Sequence, residues 1–490
     1  MSIKVKNHRP AKRTKIVATL GPASDNEDTL RQMILAGLDV VRINFSHSKP
    51  DYLVPVIRRV RKLSEEMKVP IAILGDLRGP RIRVGQIENG SVELKAGQPI
   101  RLTPNAITGT REVVAVSYPD LAKDVQVGSF ILLDDGNIEL QVERLEKDGD
   151  VCCRVIQGDR LSSQRGINLP GSPVSLPSIT QKDFGDVDFA IDQDFDFLAL
   201  SFVQSADDVR RLKAYLADKG SDMPVIAKIE RQNALEDIHA IAQEAGGVMV
   251  ARGDLALEMS IQEVPIAQKR IISICRQAAI PVITATQMLE SMIEMHKPTR
   301  AEATDIANAI LDGTDALMLS GETAIGQNPA ETVATMSAVA LATEKAWLKG
   351  DLQGPPPLQP PHDIEAAVAY GGHLIAESLS AQAIVAFTTL GATVRRVVCH
   401  RPVQPVLALT IHPATQRRLA LSWGVQSTLT KLLKGTDEMI KVGLECAHRC
   451  GVAAPGDTVV ITAGTPPYGR SGRTNTLKVE RIPQPEEQGD

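Results

Sequence analysis

A chain of 490 residues with a formal net charge of -5, 43% hydrophobic and 23% charged, has the balance of a soluble globular protein, and its length suits roughly two to four domains. Its acidic excess offers no basic field for nucleic acid, and no apolar stretch is long enough to span a bilayer. Six scattered cysteines without paired metal-ligand spacing suit a reducing compartment, so the expected location is cytoplasmic.

The start of the chain is basic, with no acid before Asp25. It lacks an apolar h-region, and a strand begins near Thr14, so residues 1–13 read as a short extension rather than a leader. Short apolar runs then recur, each followed by an amphipathic segment. They are KIVATLGPAS (15–24), VVRINFSHS (40–48), IAILGDLRG (71–79), FLALSFVQS (197–205), VIAKIER (225–231), GVMVARGDL (247–255), PVITATQML (281–289) and ALMLSGETA (316–324). Continuous apolar character with helical spacing between the runs predicts parallel strands buried on both faces. Eight such units predict a (β/α)8 barrel built from residues 14–79 and 178–347.

Residues 80–177 differ in character. GSVELKAGQPIRL, REVVAVSY, FILLDDGNIELQVERL and DVCCRVIQGDRL are alternating, turn-punctuated segments, with DDG as a hairpin signal. They predict a small β domain inserted at the mouth of the barrel, placed to act as a lid. A Pro/Gly-rich linker follows over 348–361. The pattern then returns to α/β over 362–484, with AIVAFTT, PVLALTI and DTVVITAG as strands, before a polar tail at 485–490.

Chemistry in such a barrel sits at the carboxyl ends of the strands. Those ends carry Pro22 and Ser24; Arg42, Asn44, Ser46 and His47; Asp76; Ser201; Lys228 and Glu230; Arg252 and Asp254; Thr286 and Gln287; Ser320 and Glu322. Lys228 and Glu230 stand two residues apart and so share one face of their strand. Glu230 and Asp254 end neighbouring strands and can hold one hard divalent cation, most naturally Mg²⁺. Arg42 and Lys228 supply positive charge for a phosphoryl or carboxylate group. Free N–H groups at Gly253 and Asp254, ahead of a short helix, suit an anion, and the Thr286 hydroxyl suits a proton relay. Singly, each has an ordinary reading: a rim ion pair for Lys228 and Glu230, a helix cap for Asp254, a strand residue for Thr286. Their convergence on one rim argues for a site, with the parts phosphoryl transfer needs.

At these residues the sequence resembles the pyruvate kinase family. The resemblance rests on TKIVATLGPAS, VVRINFSH, DLRGPRIRVG, RGINLPG, LPSITQKD, AKIE, MVARGDLALE, ITATQMLESM and PTRAEATDIANAILDGTDALMLSGETA, and it covers nearly the whole chain. It implies transfer of the phosphoryl group of phosphoenolpyruvate to ADP, giving pyruvate and ATP. Lys228 then resembles the lysine that stabilises the transferring group, Arg42 the phosphate-binding arginine, and Glu230 and Asp254 the ligands of Mg²⁺ (or Mn²⁺). Gly253, Asp254 and Thr286 resemble the positions holding the substrate carboxylate, with Thr286 also near the carbon that is protonated. Pro22 and Tyr52 resemble the pair flanking adenine, and Asn44, Phe45, Ser46, His47, Arg83 and Lys182 the groups near ADP or ATP. The family also implies a homotetramer.

Two departures matter. Members that bind K⁺ do so at positions matching Asn44, Ser46, Asp76 and the carbonyl of Leu77, and read DTKGPEIR where this chain reads DLRGPRIR. Leu77 replaces a threonine and Arg81 an acid, so a fixed cation stands in the same region and K⁺ is expected to be dispensable. In the third domain, TTLGAT (388–393) replaces the family's TxSGRS-like effector loop. Leu390 and Ala392 remove a hydroxyl and an arginine. Thr388, Thr389, Gly391 and Thr393, with Arg470 and Arg473 of YGRSGRTNT, remain for a phosphorylated effector other than fructose 1,6-bisphosphate. Ile325 stands where many relatives carry lysine. The competing readings are a Mg²⁺-dependent pyruvate-forming aldolase or lyase, and a catalytically silent metabolite-binding homologue.

Overall fold

The structure, a computed structural model, describes residues 9–46, 50–172, 175–464 and 473–484. Eight strands, β1 (Lys15–Thr19), β2 (Val40–Asn44), β3 (Ala72–Asp76), β4 (Phe197–Leu200), β5 (Val225–Ile229), β6 (Gly247–Ala251), β7 (Val282–Ala285) and β8 (Ala316–Leu319), pair in parallel, each with its neighbours in sequence. β8 pairs back onto β1 and closes the barrel. The strands are five residues or fewer, shorter than the apolar runs, because the last residues of each run turn outward to form the rim.

Alternation divides the barrel into two cores. Val17, Val40, Leu74, Phe197, Ile226, Met249, Ile283 and Met318 fill the interior. Ile16, Val41, Ile73, Leu198, Val225, Val248 and Leu317 face the surrounding helices. The helices begin and end on local signals. The Asn26 side chain accepts from the Thr29 N–H to start Glu27–Ala36, and Gly37 ends it in a left-handed conformation (φ 116°). Thr299 and Glu302 form a reciprocal capping box for Arg300–Asp312.

The insertion folds around a core of its own, including Leu102, Ile131, Leu140, Val151 and Leu161. A six-stranded sheet runs in the order 167–168, 130–133, 138–145, 151–157, 99–103, 113–115, beside a two-stranded ladder of 91–93 with 160–162. Its hairpin turns where DDG stands: Asp134, Asp135 and Gly136 all have positive φ between strands paired at Leu133 and Ile138.

The third domain is a five-stranded sheet in the order 425–429, 406–410, 383–387, 458–463, 476–481, the last strand antiparallel. The three inner strands match the three apolar runs. The two outer ones, VQSTL and TLKVER, escape a pattern reading because an edge strand with a half-exposed face needs no continuous apolar run.

This domain closes the amino-terminal end of the barrel. Ala420 and Leu421 join the inner barrel core from below. Aspartates just ahead of three strands organise that end: Asp39, Asp196 and Asp315 accept the backbone N–H groups of Ile16, Ile73 and Val282. Asp196 then binds Arg417 at 2.7 Å and Asp315 binds Arg401 at 3.1 Å, so two of these carboxylates also fasten the third domain.

Candidate active site

At the opposite, carboxyl-terminal end, register brings the charged residues together. Thr19 is paired with Arg42, and Asn44 with Asp76. The Arg42 guanidinium therefore reaches the Thr19 hydroxyl (2.8 Å) and the Asp76 carboxylate (2.6 Å). Lys228 Nζ donates to Ser201 Oγ (2.7 Å), lies 2.7 Å from Glu230 Oε1 and sits 3.4 Å from Asp76 Oδ1. The other Glu230 oxygen accepts the N–H of Phe202 (2.6 Å), a residue in left-handed conformation at φ 54°.

Asp76 and Glu230 are buried, and burial alone favours their neutral forms. For Asp76 that pressure is outweighed by Lys228 and Arg42, which hold its carboxyl below the usual range. For Glu230 burial wins: with the Asp254 charge added, it pushes the carboxyl up despite Lys228. Burial likewise works against the Lys228 ammonium, yet Asp76 and Glu230 keep its pKa above the ordinary value. Glu230 and Asp254 line one cleft; Glu230 is engaged by Lys228 and the Phe202 N–H, whereas among the described residues no hydrogen bond or ion pair ties down Asp254. No group of three or more His, Cys, Asp or Glu able to hold a metal occurs among the described residues. Two hard carboxylates leave the rest of a coordination shell to substrate oxygens and water, which suits Mg²⁺.

The cleft is lined by Glu230, Arg231, Asp254 and Glu258 from the barrel, Asn168 and Asp135 from the insertion, and Arg81 at the junction. Burial pushes the Glu258 carboxyl up to about 7. One expectation needs correction. Gly253 and Asp254 do not precede the short helix but lie in its first turn, Arg252–Glu258. The Gly253 N–H is not free for an anion, because it donates to Thr286 Oγ1 (2.9 Å). The Thr286 hydroxyl in turn donates to the Ala285 carbonyl (2.6 Å).

Of the residues expected near a nucleotide, Pro22 and Tyr52 are exposed, and the Tyr52 hydroxyl donates to Asp25 (2.7 Å). Lys182 bridges the Phe45 carbonyl (3.2 Å) and Asp186 (2.5 Å). The Phe45 ring is buried against Phe195 and Phe189, so only its backbone faces the rim. Asn44 Oδ1 accepts the Ser46 N–H, and the Leu77 carbonyl accepts the Ser201 hydroxyl. Arg83 donates to the Gln164 carbonyl within the insertion. His47 and Arg470 lie outside the described residues.

Glu322 does not join the rim. It is fully buried, and its two oxygens accept the N–H groups of Leu289 and Ser320, so it clamps the loops after β7 and β8. Ile325 is exposed. In the third domain, the Thr388 hydroxyl accepts the Gly391 N–H, Thr393 Oγ1 bonds Thr474 Oγ1, and the Thr389 carbonyl accepts the Thr415 hydroxyl. The two buried threonine hydroxyls are therefore satisfied internally.

Family models match residues 11–333 as a pyruvate kinase barrel domain and residues 366–480 as a pyruvate kinase alpha/beta domain. The chain belongs to the pyruvate kinase family. Curated pyruvate kinases align over 96% of the chain: pyruvate kinase 2 of a Synechocystis strain is 44% identical, with 79% of its own length covered, and a pyruvate kinase of Mycobacterium tuberculosis is 42% identical, with 98% covered. A crystal structure of a pyruvate kinase from Cryptosporidium parvum superposes with a TM-score of 0.89 at 34% identity, covering 96% of this chain and 97% of that one. Pattern reading gave no role to Thr19, Ser201, Phe202 or Arg252. Ser201 and Arg252 stood at strand ends, the available signal for them. Thr19 and Phe202 act through contacts between strands and carried no signal of their own.

Proposed function

We infer that the protein transfers the phosphoryl group of phosphoenolpyruvate to ADP, yielding pyruvate and ATP. The observation that carries this reading is Lys228, held protonated between Asp76 and Glu230, with Glu230 and Asp254 lining a cleft formed by both barrel and insertion. Phosphoryl transfer is catalysed chiefly by positioning and charge neutralisation, and this rim holds the charges in place before substrate arrives.

Glu230 and Asp254 are the proposed holders of Mg²⁺ or Mn²⁺, which supplies Lewis-acid charge to the phosphoryl and enolate oxygens when bound. The Lys228 ammonium and the Arg42 guanidinium take the negative oxygens of the phosphoryl group. As the phosphorus–oxygen bond of phosphoenolpyruvate breaks, a bond forms to the β-phosphate oxygen of ADP, and the enolate left behind takes a proton at carbon. That delivery is assigned to Thr286, whose hydroxyl receives the Gly253 N–H and must release the Ala285 carbonyl to serve a proton route. Pro22 and Tyr52 flank the base, while Asn44, the Phe45 backbone, Ser46, His47, Arg83 and Lys182 serve the nucleotide phosphates. Closure of the insertion excludes water from the transferring group.

K⁺ is dispensable on this reading, because Arg81 lines the same cleft as Glu230 and Asp254 and brings a permanent positive charge. The protein is a cytoplasmic homotetramer responsive to a phosphorylated effector through its third domain. A coupled assay of pyruvate formation with and without ADP tests the central claim. ADP-dependent product supports the kinase. Product formed without ADP indicates the lyase, and no product indicates a silent homologue.

A further inference from the structure

Phe202, just after β4, touches both junctions between the barrel and the insertion. On the outgoing side its ring packs on Gly79, between β3 and the insertion. Gly79 has φ 65°, and a β-carbon there would stand 3.0 Å from Phe202 Cδ2. On the return side the hydroxyl of Ser178, ahead of the barrel helix Gln181–Asp192, donates to the Phe202 carbonyl (3.0 Å). The Phe202 N–H donates to Glu230 (2.6 Å), whose other oxygen faces Lys228. One residue therefore meets the outgoing chain with its ring, the returning chain with its carbonyl and Glu230 with its amide.

The backbone of Phe202 is left-handed (φ 54°), a region rarely used by a bulky residue and kept only where its surroundings hold it. Arg231 supplies a further hold. Its guanidinium lies 5.6 Å from the centre of the Phe202 ring, and its Nε is buried without a partner. Asp254 and Glu258 line the same cleft, yet among the described residues Arg231 makes no ion pair and stays with the ring. Filling space would call for an apolar ring at this position. It would not call for a left-handed backbone whose carbonyl and N–H are both engaged, one at a junction and one at the rim.

We propose that Phe202 is a positioning residue that couples the two junctions of the insertion to Glu230, with Arg231 holding its ring. A shift of Gly79 and Ser178 turns the Phe202 peptide and redirects the N–H that aims the Glu230 carboxylate. The position of the insertion thereby sets how well that carboxylate receives a divalent cation, as outer contacts to a metal ligand do. The coupling is reciprocal, so the two junctions are steadied when Glu230 holds a cation. This inference rests on the reading of Glu230 as a metal holder. Arg231 acts through the ring and touches neither cation nor substrate.

Mn²⁺ titration of the full-length protein without substrates, with hydrogen exchange followed in peptides spanning Gly79 and Ser178, tests this. In the wild type Mn²⁺ is expected to slow exchange in both peptides. Phe202→Ala keeps the N–H and removes the ring. It is expected to weaken Mn²⁺ by about tenfold, the scale of a lost outer contact to a metal ligand, and to abolish the Mn²⁺-dependent protection. Phe202→Tyr should restore both. If Phe202→Ala fails to fold, Arg231→Gln must weaken Mn²⁺ by about threefold, the scale of one cation–π contact, and reduce the protection. Glu230→Gln separates this proposal from the reading beneath it. Mn²⁺ binding untouched by Glu230→Gln overturns the metal reading and the coupling together. Binding lost in Glu230→Gln, with wild-type exchange at the junctions indifferent to Mn²⁺, overturns the coupling alone. Protection that survives in folded Phe202→Ala does the same.

Discussion

Lys228 Nζ lies 2.7 Å from Glu230 Oε1, two positions further along the same strand, and 3.4 Å from Asp76 Oδ1 on the neighbouring side of the rim. One ammonium thus balances one carboxylate that also holds Arg42 and another that faces Asp254. Burial works to discharge Lys228, and the two acids overcome it. The charge stands in place without substrate, which on the proposed mechanism spares reorganisation as charge appears on the phosphoryl oxygens.

Replacing Lys228 with methionine keeps the stem and removes the charge. Loss of one such electrostatic donor is expected to lower kcat by about 10³-fold. The Glu230 and Asp254 side chains remain, so metal affinity, followed by Mn²⁺ binding, should change far less than kcat. A variant that makes ATP at the wild-type rate would remove Lys228 from the mechanism.

Arg81 gives the second prediction. It lines the cleft with Glu230 and Asp254, while the Leu77 carbonyl and Asn44 side chain already accept hydrogen bonds within the protein. Turnover is therefore expected to be the same in tetramethylammonium and in KCl buffers. Arg81→Glu should lower the rate by about tenfold without K⁺ and regain most of it on adding KCl, since the acid then requires a mobile counter-cation. Negligible wild-type turnover without K⁺ would defeat the charge-replacement argument.

The barrel was legible because a strand buried on both faces must be apolar throughout, and its end must be polar where it meets the cleft. KIVATL and VIAKIE announce both facts. Lys228 and Glu230 could be placed on one face from their spacing alone. Contacts made by closure were not legible. Thr19 reaches Arg42 only because β1 and β2 pair at that position, and Phe202 holds Glu230 only because its backbone turns left-handed. Glu322 looked like a rim acid because sequence places it after a strand, and only packing shows it turned inward to two backbone amides.

The third domain carries a pH dependence of its own. His400 stacks with His373 at a centroid distance of 5.8 Å and lies tilted against Tyr370 at 4.7 Å. Burial first, then His373 and Arg276, depress its pKa to about 4. The unfolded ring titrates near about 6.5, so the unfolded state takes up the proton first as pH falls. Stability from the neutral ring is present above pH about 6.5 and is lost on acidification toward about 4, at most about 2 kcal/mol of it by pH 5. The unfolding midpoint of the wild type is expected to drop between pH 7 and pH 5, and to drop less in His400→Gln. Equal slopes in the two proteins would show that the ring is not held neutral.

Arg252 is a positioning residue, and its removal makes the last prediction. Its guanidinium donates to the Ala285 carbonyl (3.1 Å), the Thr286 carbonyl (2.7 Å) and the Asp305 carboxylate (2.8 Å). Those bonds hold Thr286 and Gln287 at φ 70° and 53°, a conformation that costs a β-branched residue about 1–3 kcal/mol. Lysine keeps the charge but cannot reach three acceptors in a fork. Arg252→Lys should therefore lower kcat by about tenfold to a hundredfold, with little change in the KM for ADP, whose proposed contacts lie elsewhere on the rim. The effect acts through Thr286, so Arg252→Lys and Thr286→Ala combined should cost less than the sum of their separate losses in ln kcat. Strict additivity would mean that Arg252 supports the fold without positioning the threonine hydroxyl.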